Sequence, residues 1–431
     1  MTTPRRRLAR LLASVEMARA YTTCALLAVF GSFAIGAFTS SATRNTIIAV
    51  LCVIGVGILW VRRDELSPLR IAPSTLLAFL AWTLASAVWS TASAATLKAW
   101  AALAGYAVIA IVVGHIRDTL QTVRALGDAL RILLAASLIA EVMSGILLDM
   151  PFRFLGIQGE LAQGGPIQGL FGTRNMLGLI AVIAVITFVV EWRSQSLSAS
   201  VAVPSVVVAG FLALFSASPT VLVLAAVVGI AAVALVMVRQ APPAKRRPLQ
   251  WSIGGVVLAA LIAVAVFRQR IVVLLDAGSD FNTRVELWTT LLGYAQQRPA
   301  QGWGWFGLWS DDLYPFNSIN YFTNDHHGSA LNAFLDTLLQ VGGGGLLLFC
   351  LLGGIALVRS WLVASVRRSV VYAWAPLVLV ALAMDSVFES FTLVGPGWFL
   401  LVLCALRAGQ SRSWRENIDA VQTSSTPLPD R

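Results

Sequence analysis

The feature that most constrains this chain is the recurrence, along nearly its whole length, of apolar runs of roughly 18 residues or more. As a helix, each such run rises far enough to cross about 30 Å of hydrocarbon. Composition agrees: of 431 residues, 58% are hydrophobic and 12% charged, about half the charged fraction of an ordinary soluble domain. The chain therefore reads as an all-α polytopic membrane protein.

The first apolar run, 21–38, follows Arg5, Arg6, Arg7, Arg10 and Arg19. It has no small-x-small cleavage site and another span follows at once, so it reads as a retained helix rather than a signal peptide. Further spans are expected at 45–61, 72–90, 97–114, 125–148, 174–190, 201–217, 219–238, 252–267, 331–357, 371–388 and 391–406, about twelve in all. With the N-terminus inside, the inner segments hold Arg62, Arg63, Arg70, Arg117, Arg124, Arg193, Arg239, Lys245, Arg246, Arg247, Arg359, Arg367 and Arg368. The outer loops hold only Arg44, Lys98, Arg153, Arg174, Arg268, Arg270, Arg284 and Arg298. That asymmetry satisfies the positive-inside rule and puts both termini in the cytoplasm. It also accounts for the net charge of +10 without nucleic acid. The four cysteines show no CxxC spacing and the three histidines are scattered, so neither a disulfide framework nor a metal site is expected.

The expected organisation is a basic cytoplasmic N-terminus (1–20), nine spans over 21–267, a large extracytoplasmic loop (268–330), three spans over 331–406 and a disordered cytoplasmic tail (407–431). A smaller outer loop falls at 149–173, and the Pro-rich segment 241–248 reads as an inner linker. Long loops in compact architectures tend to be functional. The larger one has helical periodicity at Val285, Trp288, Leu291, Leu292 and Ala295, so it is expected to be ordered. The stretch 276–340 gathers Arg284, Arg298, four tryptophans and two of the three histidines.

Each polar candidate there carries two readings. Arg284 is either an interfacial arginine or an anion clamp whose fork of donors fits phosphate oxygens. Trp288, Trp303, Trp305, Trp309, Tyr314, Tyr321 and Phe322 are either an aromatic belt or a platform for stacking sugar rings. His326 and His327 are either solvated loop residues or, for one of them, a general base near neutral pH oriented by Asp325. A helix beginning early would put His327 and Leu331 on one face at i and i+4. In the smaller loop, Arg174 and Asn175 open a span whose N-terminus suits a phosphate. Glu389 is an ionisable group at the outer end of a span, where such groups tend to be functional.

Four segments in order resemble one family. GLFGTRNMLG, with Arg174 and Asn175, is similar to its G-x-(F/Y)-x-x-(K/R)-N-x-x-G. FNTRVELW with the following proline and Gly302-Trp303-Gly304 turn is similar to its R-x-x-(I/L)-W segment. LNAFLDTLLQVGGGG, with Asn332, is similar to its H-N-x-(F/Y)-L-(D/Q) helix, and DSVFESF resembles its outer glutamate before the last span. The family is the O-antigen ligase and polymerase superfamily of bacterial inner-membrane proteins, including exopolysaccharide-polymerisation proteins. One departure stands out: where the family shows histidine before the asparagine, this chain has Leu331, with His326 and His327 a few positions earlier.

The resemblance implies a GT-C-like, metal-independent glycosyltransferase that needs no cofactor. Its donor would be a glycan on a polyprenyl pyrophosphate at the outer face of the cytoplasmic membrane, and its acceptor a hydroxyl of another glycan or a lipid-linked core. Arg284 and Arg174 would stabilise charge growing on the leaving pyrophosphate, and His327 or His326 would take the acceptor's proton. Asn175, Trp288, Trp303, Trp305, Asn332 and Glu389 would contact substrate. Ligase and polymerase both fit, the exopolysaccharide-type motifs tilting toward polymerisation. Two rivals stay open: a transporter or flippase of lipid-linked glycan, for which Asp128, Arg131 and Glu141 lie within one span, and a noncatalytic scaffold for other envelope-glycan assembly proteins.

Overall fold

The computed structural model describes residues 10–65, 71–274 and 278–410. Arg5, Arg6, Arg7, Arg70, the side chains of Arg268 and Arg270, and the expected tail beyond 410 lie outside the described residues. Within them the chain is helical, with one isolated β-bridge between Phe152 and Ile157. The helices are α1 (Val15–Phe30), α2 (Ser32–Phe38), α3 (Ser41–Val61), α4 (Ser74–Ala85), α5 (Ser93–Ile116), α6 (Thr119–Val142), α7 (Arg174–Arg193) and α8 (Ala199–Phe215). They continue as α9 (Pro219–Gln240), α10 (Pro243–Leu274), α11 (Gly278–Ala295), α12 (Phe316–Thr323), α13 (Ala333–Val366), α14 (Trp374–Phe388) and α15 (Gly395–Gln410).

Local chemistry explains where several begin. Ser14, Ser40 and Thr173 each accept a hydrogen bond from the backbone N–H three residues on, which satisfies a donor the first helical turn leaves free. Asp118 and Gln121 complete a reciprocal capping box at the start of α6.

Every expected span falls on a helix. Among the described residues, seven helices are by length and composition long and apolar enough to cross a membrane, or eight if α1 and α2, bent by 71°, form one span. α4, α8 and α15 have 12, 17 and 16 residues, and at 1.5 Å per residue α4 rises only about 18 Å. The expected third span stops early because its loop end is diverted into gripping the large loop. Ser86 accepts from the N–H of Trp305 at 3.0 Å, and Trp89 Nε1 donates to Gln301 at 3.0 Å. The expected linker at 241–248 is mostly helix, since Pro243 opens α10 where a missing N–H costs nothing. α10 also runs past the expected loop start at 268.

The bundle core runs through α1, α5, α6, α7, α13, α14 and α15, with Trp374, Trp398 and Phe399 fully buried. α7 packs on α8, α15 on α5, and α13 on α14 and α15. A second core belongs to the large loop: Leu287, Leu291 and Ala295 of α11 pack with Trp303, Phe306, Trp309, Phe316, Ile319 and Leu339. The buried face of α11 is thus Leu287–Leu291–Ala295, while Val285 and Leu292, expected to be apolar anchors, are exposed.

This second core is fastened to the bundle at a break in α13. Val341 and Gly342 leave helical geometry, Gly342 with φ +66° and ψ −171°. The break frees carbonyls of one half-helix and N–H groups of the next, and the Pro299–Gly304 turn satisfies both. Trp303 and Gly304 N–H donate to Leu339 and Gln340 at 3.1 and 2.7 Å, while Gly343 and Gly344 N–H donate to Pro299 and Ala300 at 2.8 and 3.3 Å. Irregular backbone persists at membrane depth only where protein supplies such partners. The approach demands glycine on both sides: a Cβ at Gly302 falls 2.5 Å from Gln340 backbone, and one at Gly342 falls 2.3 Å from Ala300 backbone.

Candidate functional site

At the loop end of the bundle, four segments far apart in sequence meet around Glu389. Its side chain is buried, and Oε1 accepts from Asn175 Nδ2 at 2.6 Å and from Arg284 Nη2 at 3.2 Å. Arg284 Nη1 also donates to the carbonyls of Leu331, at 3.1 Å, and Phe388. Asn332 Nδ2 donates to the carbonyl of Val387 at 2.9 Å, and Ala333 N–H donates to the carbonyl of Glu389 at 3.1 Å. Helices α7, α11, α13 and α14 are therefore tied at one point by side chains from each resembling motif.

The sequence places each group through an ordinary local device. Thr173 caps α7, which sets Arg174 and Asn175 in its first turn. Ser218, before Pro219 at the start of α9, donates to Asn175 Oδ1 at 2.7 Å and so turns the amide nitrogen toward Glu389. Asn332 caps α13, accepting from Phe334 and Leu335 N–H at 3.0 Å each. Glu389 ends α14 in extended geometry. The preceding loop is held by Glu141, which accepts from Gln168 and Gly169 N–H at 3.0 and 2.7 Å, and by Ser137, which accepts from Leu170 N–H.

Burial pushes the Glu389 carboxyl above its usual range, while Arg284, Asn175 and the charge of Arg174 pull it back down. The result is a carboxylate–guanidinium pair whose members are both largely withdrawn from water. His327 is buried, and its Nε2 has no hydrogen-bond partner; Asp325 Oδ2 stands 3.7 Å away. Burial lowers the His327 pKa, Asp325 opposes that shift, and the charge of Arg284 adds to it. Asn320 fixes the position by accepting from His327 N–H at 3.2 Å. His326 is exposed, 3.5 Å from Asp311.

The expected early helix does not form: α13 starts at Ala333, and Leu331 has φ +49°. That left-handed conformation is costly for leucine. It lets two successive carbonyls face α11, where Trp288 Nε1 donates to Ala330 at 2.9 Å and Arg284 donates to Leu331. His327 and Leu331 therefore share no helix face.

The tryptophans divide. Trp288 is half-buried, but Trp303, Trp305 and Trp309 lie in the two cores. Arg298 covers the Trp303 ring at 4.3 Å and Trp309 stacks on Phe316. Trp303 and Trp305 offer no free ring face to a sugar, a correction to the platform expected of them. Of the seven aromatics, Tyr314, Tyr321 and Phe322 are exposed.

Sequence reasoning passed over Asp336 and Gln340. Asp336 Oδ1 accepts from Trp309 Nε1 at 2.8 Å and Gln340 Nε2 at 2.7 Å, and Oδ2 accepts from Ala330 N–H at 3.3 Å. Gln340 accepts from Phe306 and Gly307 N–H at 2.7 and 2.9 Å. Their spacing on one helix face was the available signal. Among the described residues, no cluster of three His, Cys, Asp or Glu side chains is arranged to hold a metal.

Known proteins bear on this geometry. No curated protein matches the chain. A family model described as O-antigen ligase matches residues 204–350, a stretch that contains Arg284, His326, His327, Asn332 and the broken helix, while Asn175 and Glu389 reach the same site from outside it. Over that stretch, less than half of the chain, the protein is similar to the O-antigen ligase family.

Proposed function

We propose that this protein transfers or polymerises a glycan from a polyprenyl-pyrophosphate carrier onto an acceptor hydroxyl at the outer face of the bacterial cytoplasmic membrane. The observation that carries the proposal is the convergence of Arg284, Asn175, Asn332 and Glu389 on one buried polar cluster. In it Arg284 is the cation aimed at the leaving pyrophosphate. Glu389 orients Arg284 while the site is empty, and the incoming phosphate competes for the same guanidinium. Arg174, at the N-terminus of α7, adds positive potential where charge grows on the leaving group.

His327 takes the acceptor's proton. Burial holds its imidazole neutral at physiological pH, as a base must be, and Asp325 is placed to stabilise the imidazolium that forms. Trp288 and Asn332 belong to the same reading as groups that contact the sugar, with His326 as the alternative base. Transfer without a metal or other cofactor belongs to the proposal, since the arginines supply the cationic stabilisation. The exopolysaccharide-type motifs favour polymerisation over ligation.

Transport through the bundle has less support. Arg131 is already engaged by Asp128 at 2.9 Å, by Glu191 and by Ser205 at 3.1 Å, and Glu141 is occupied in holding a loop. These are structural ties between helices rather than groups awaiting a passing ion.

The test uses the purified chain in liposomes with a polyprenyl-pyrophosphate-linked oligosaccharide. Transfer that survives EDTA and His326→Ala but is lost in Arg284→Ala and His327→Ala is the expected result. Wild-type rates in the Arg284 and His327 variants would remove the enzyme reading and favour a scaffold. Product length against lipid attachment separates polymerisation from ligation.

A further inference from the structure

We propose that the exposed ring pair Tyr321 and Phe322, near the end of α12, is a stacking platform for the acceptor glycan, and that the acids around it select an uncharged one. This deepens the glycosyl-transfer reading and rests on it.

The platform is the outer face of a short, firmly seated helix. Phe316 and Ile319 are fully buried in the second core, which fixes the rotation of α12. Tyr321 and Phe322 are then left 80% and 65% exposed. Tyr314, the third exposed ring, is instead packed edge-on against Trp303 and Tyr294, with centroids 4.9 and 6.0 Å away. Tyr321 and Phe322 touch each other edge to face at 5.6 Å, so most of each ring stays open. A sugar ring carries C–H groups on its faces and hydroxyls at its rim, and an open aromatic face with polar neighbours matches both.

The position suits the acceptor. Asn320, directly before the pair, accepts from His327 N–H at 3.2 Å, and its Nδ2 donates to Asp311 Oδ1 at 2.8 Å and to the His327 carbonyl at 3.4 Å. Asp325 N–H donates to the Asn320 carbonyl at 3.3 Å. One residue thus ties the ring pair, two acids and the base assigned to the acceptor hydroxyl into one small region.

Charge decides what can lie there. Asp311, Asp312 and Asp325 are exposed, and the chain has no lysine or arginine between Arg298 and Arg359. Helices that settle among lipid headgroups carry Lys and Arg on their polar face, and a pyrophosphate calls for cations; this surface offers neither. The cations of the site, Arg174 and Arg284, come from α7 and α11. Carboxylates accept hydrogen bonds from sugar hydroxyls, whereas a uronate or a phosphorylated sugar would set like charge against them. Donor and acceptor thereby meet surfaces of opposite sign.

The test uses the full-length protein in nanodiscs of phosphatidylethanolamine and phosphatidylglycerol. The probes are hexasaccharides of glucose, galactose and mannose, with oligogalacturonate as the charged counterpart, and binding is read by saturation-transfer NMR. At least one uncharged probe should bind and the galacturonate should not. The double variant Tyr321→Ala/Phe322→Ala, at positions outside both cores, should weaken that binding about tenfold, and Tyr321→Trp/Phe322→Trp should restore it. With p-benzoylphenylalanine in place of Phe322, irradiation should attach the bound hexasaccharide. Adducts to phospholipid alone would make the pair a bilayer contact. That result, binding of no uncharged probe, preference for galacturonate, or indifference to the alanine variant overturns the proposal. In transfer assays the alanine variant should raise the acceptor KM about tenfold and leave the donor KM unmoved; a raised donor KM instead would assign the pair to the donor's sugars and also overturn it. Binding requires no turnover, so a chain that binds as expected yet transfers nothing keeps the platform and loses the enzymatic function. Transfer with an acceptor KM unmoved by the alanine variant keeps the function and sinks the platform.

Discussion

Arg284→Ala should destabilise the protein as well as silence it, and the two losses separate in a double variant. The substitution removes three hydrogen bonds to Glu389, Leu331 and Phe388. The larger effect falls on Glu389, which is 4% exposed and keeps Asn175 at 2.6 Å and the more distant charge of Arg174. Removing one partner of a buried ion pair costs about 3–5 kcal/mol. The two orphaned carbonyls add about 1 kcal/mol each where water does not reach them. Glu389→Gln in the same background keeps an oxygen for Asn175 and removes the uncompensated charge, so it should recover about 2–3 kcal/mol. Activity should stay down by about 10²–10³, because the cation for the leaving group is still missing.

The sign with pH is fixed. Burial already holds the Glu389 pKa above its usual value, and loss of Arg284 raises it further. Between the unfolded and folded pKa the native state then binds more protons than the unfolded state, so stability of the single variant rises as pH falls from neutral toward 5. Thermal unfolding in detergent, followed by tryptophan fluorescence at pH 8 and pH 5, reads all four corners of the cycle. A double variant as unstable as Arg284→Ala at both pH values would refute the electrostatic account. Recovered transfer in the double variant would refute the role of Arg284 in the reaction.

Three further predictions concern the frame and the base. Gly342→Ala combines a left-handed φ with a 2.3 Å approach to Ala300 and should cost about 2 kcal/mol or more, seen as faster proteolysis of the 296–330 segment; unaltered digestion would mean the interlock yields. Asp336→Asn sets an amide N–H against one of three donors and should cost about 1–3 kcal/mol, read as a lower unfolding midpoint, whereas an unchanged midpoint would show that the network reorganises. For His327, burial keeps the neutral form in place below the usual imidazole value, so the acid limb of kcat should have its midpoint below about 6.5. His327→Gln should lower kcat by about 10²–10⁴; a midpoint above that value, or retained turnover, sinks the base assignment.

Much of the site is written in local signals. Thr173 and Asn332 are capping residues that set where α7 and α13 begin, and so place Asn175 in its first turn and Asn332 at the boundary. The position of Arg284 on a helix follows from the apolar spacing around it. The face that helix buries does not follow: Val285 and Leu292 fit the apolar period as well as Leu287 does, and contact with Trp303 and Phe316 selects among them. The aromatics of the loop were ambiguous for the same reason, since a tryptophan in a membrane-proximal segment reads alike whether its ring meets sugar, headgroup or another ring.

The sequence by itself determined that the chain is a helical membrane protein, where most helices lie, and which residues carry charge beside the apolar runs. Those properties depend on residues within a turn or two of one another, where period, capping and desolvation act directly. Only the tertiary structure decided that Asn175 and Arg284 share one carboxylate oxygen, that a turn of glycines holds α13 open, and that Trp303 and Trp305 face inward. Each of these depends on residues brought together across long separations, as the 214 positions between Asn175 and Glu389 show, and on burial that strengthens a pairing no local pattern specifies.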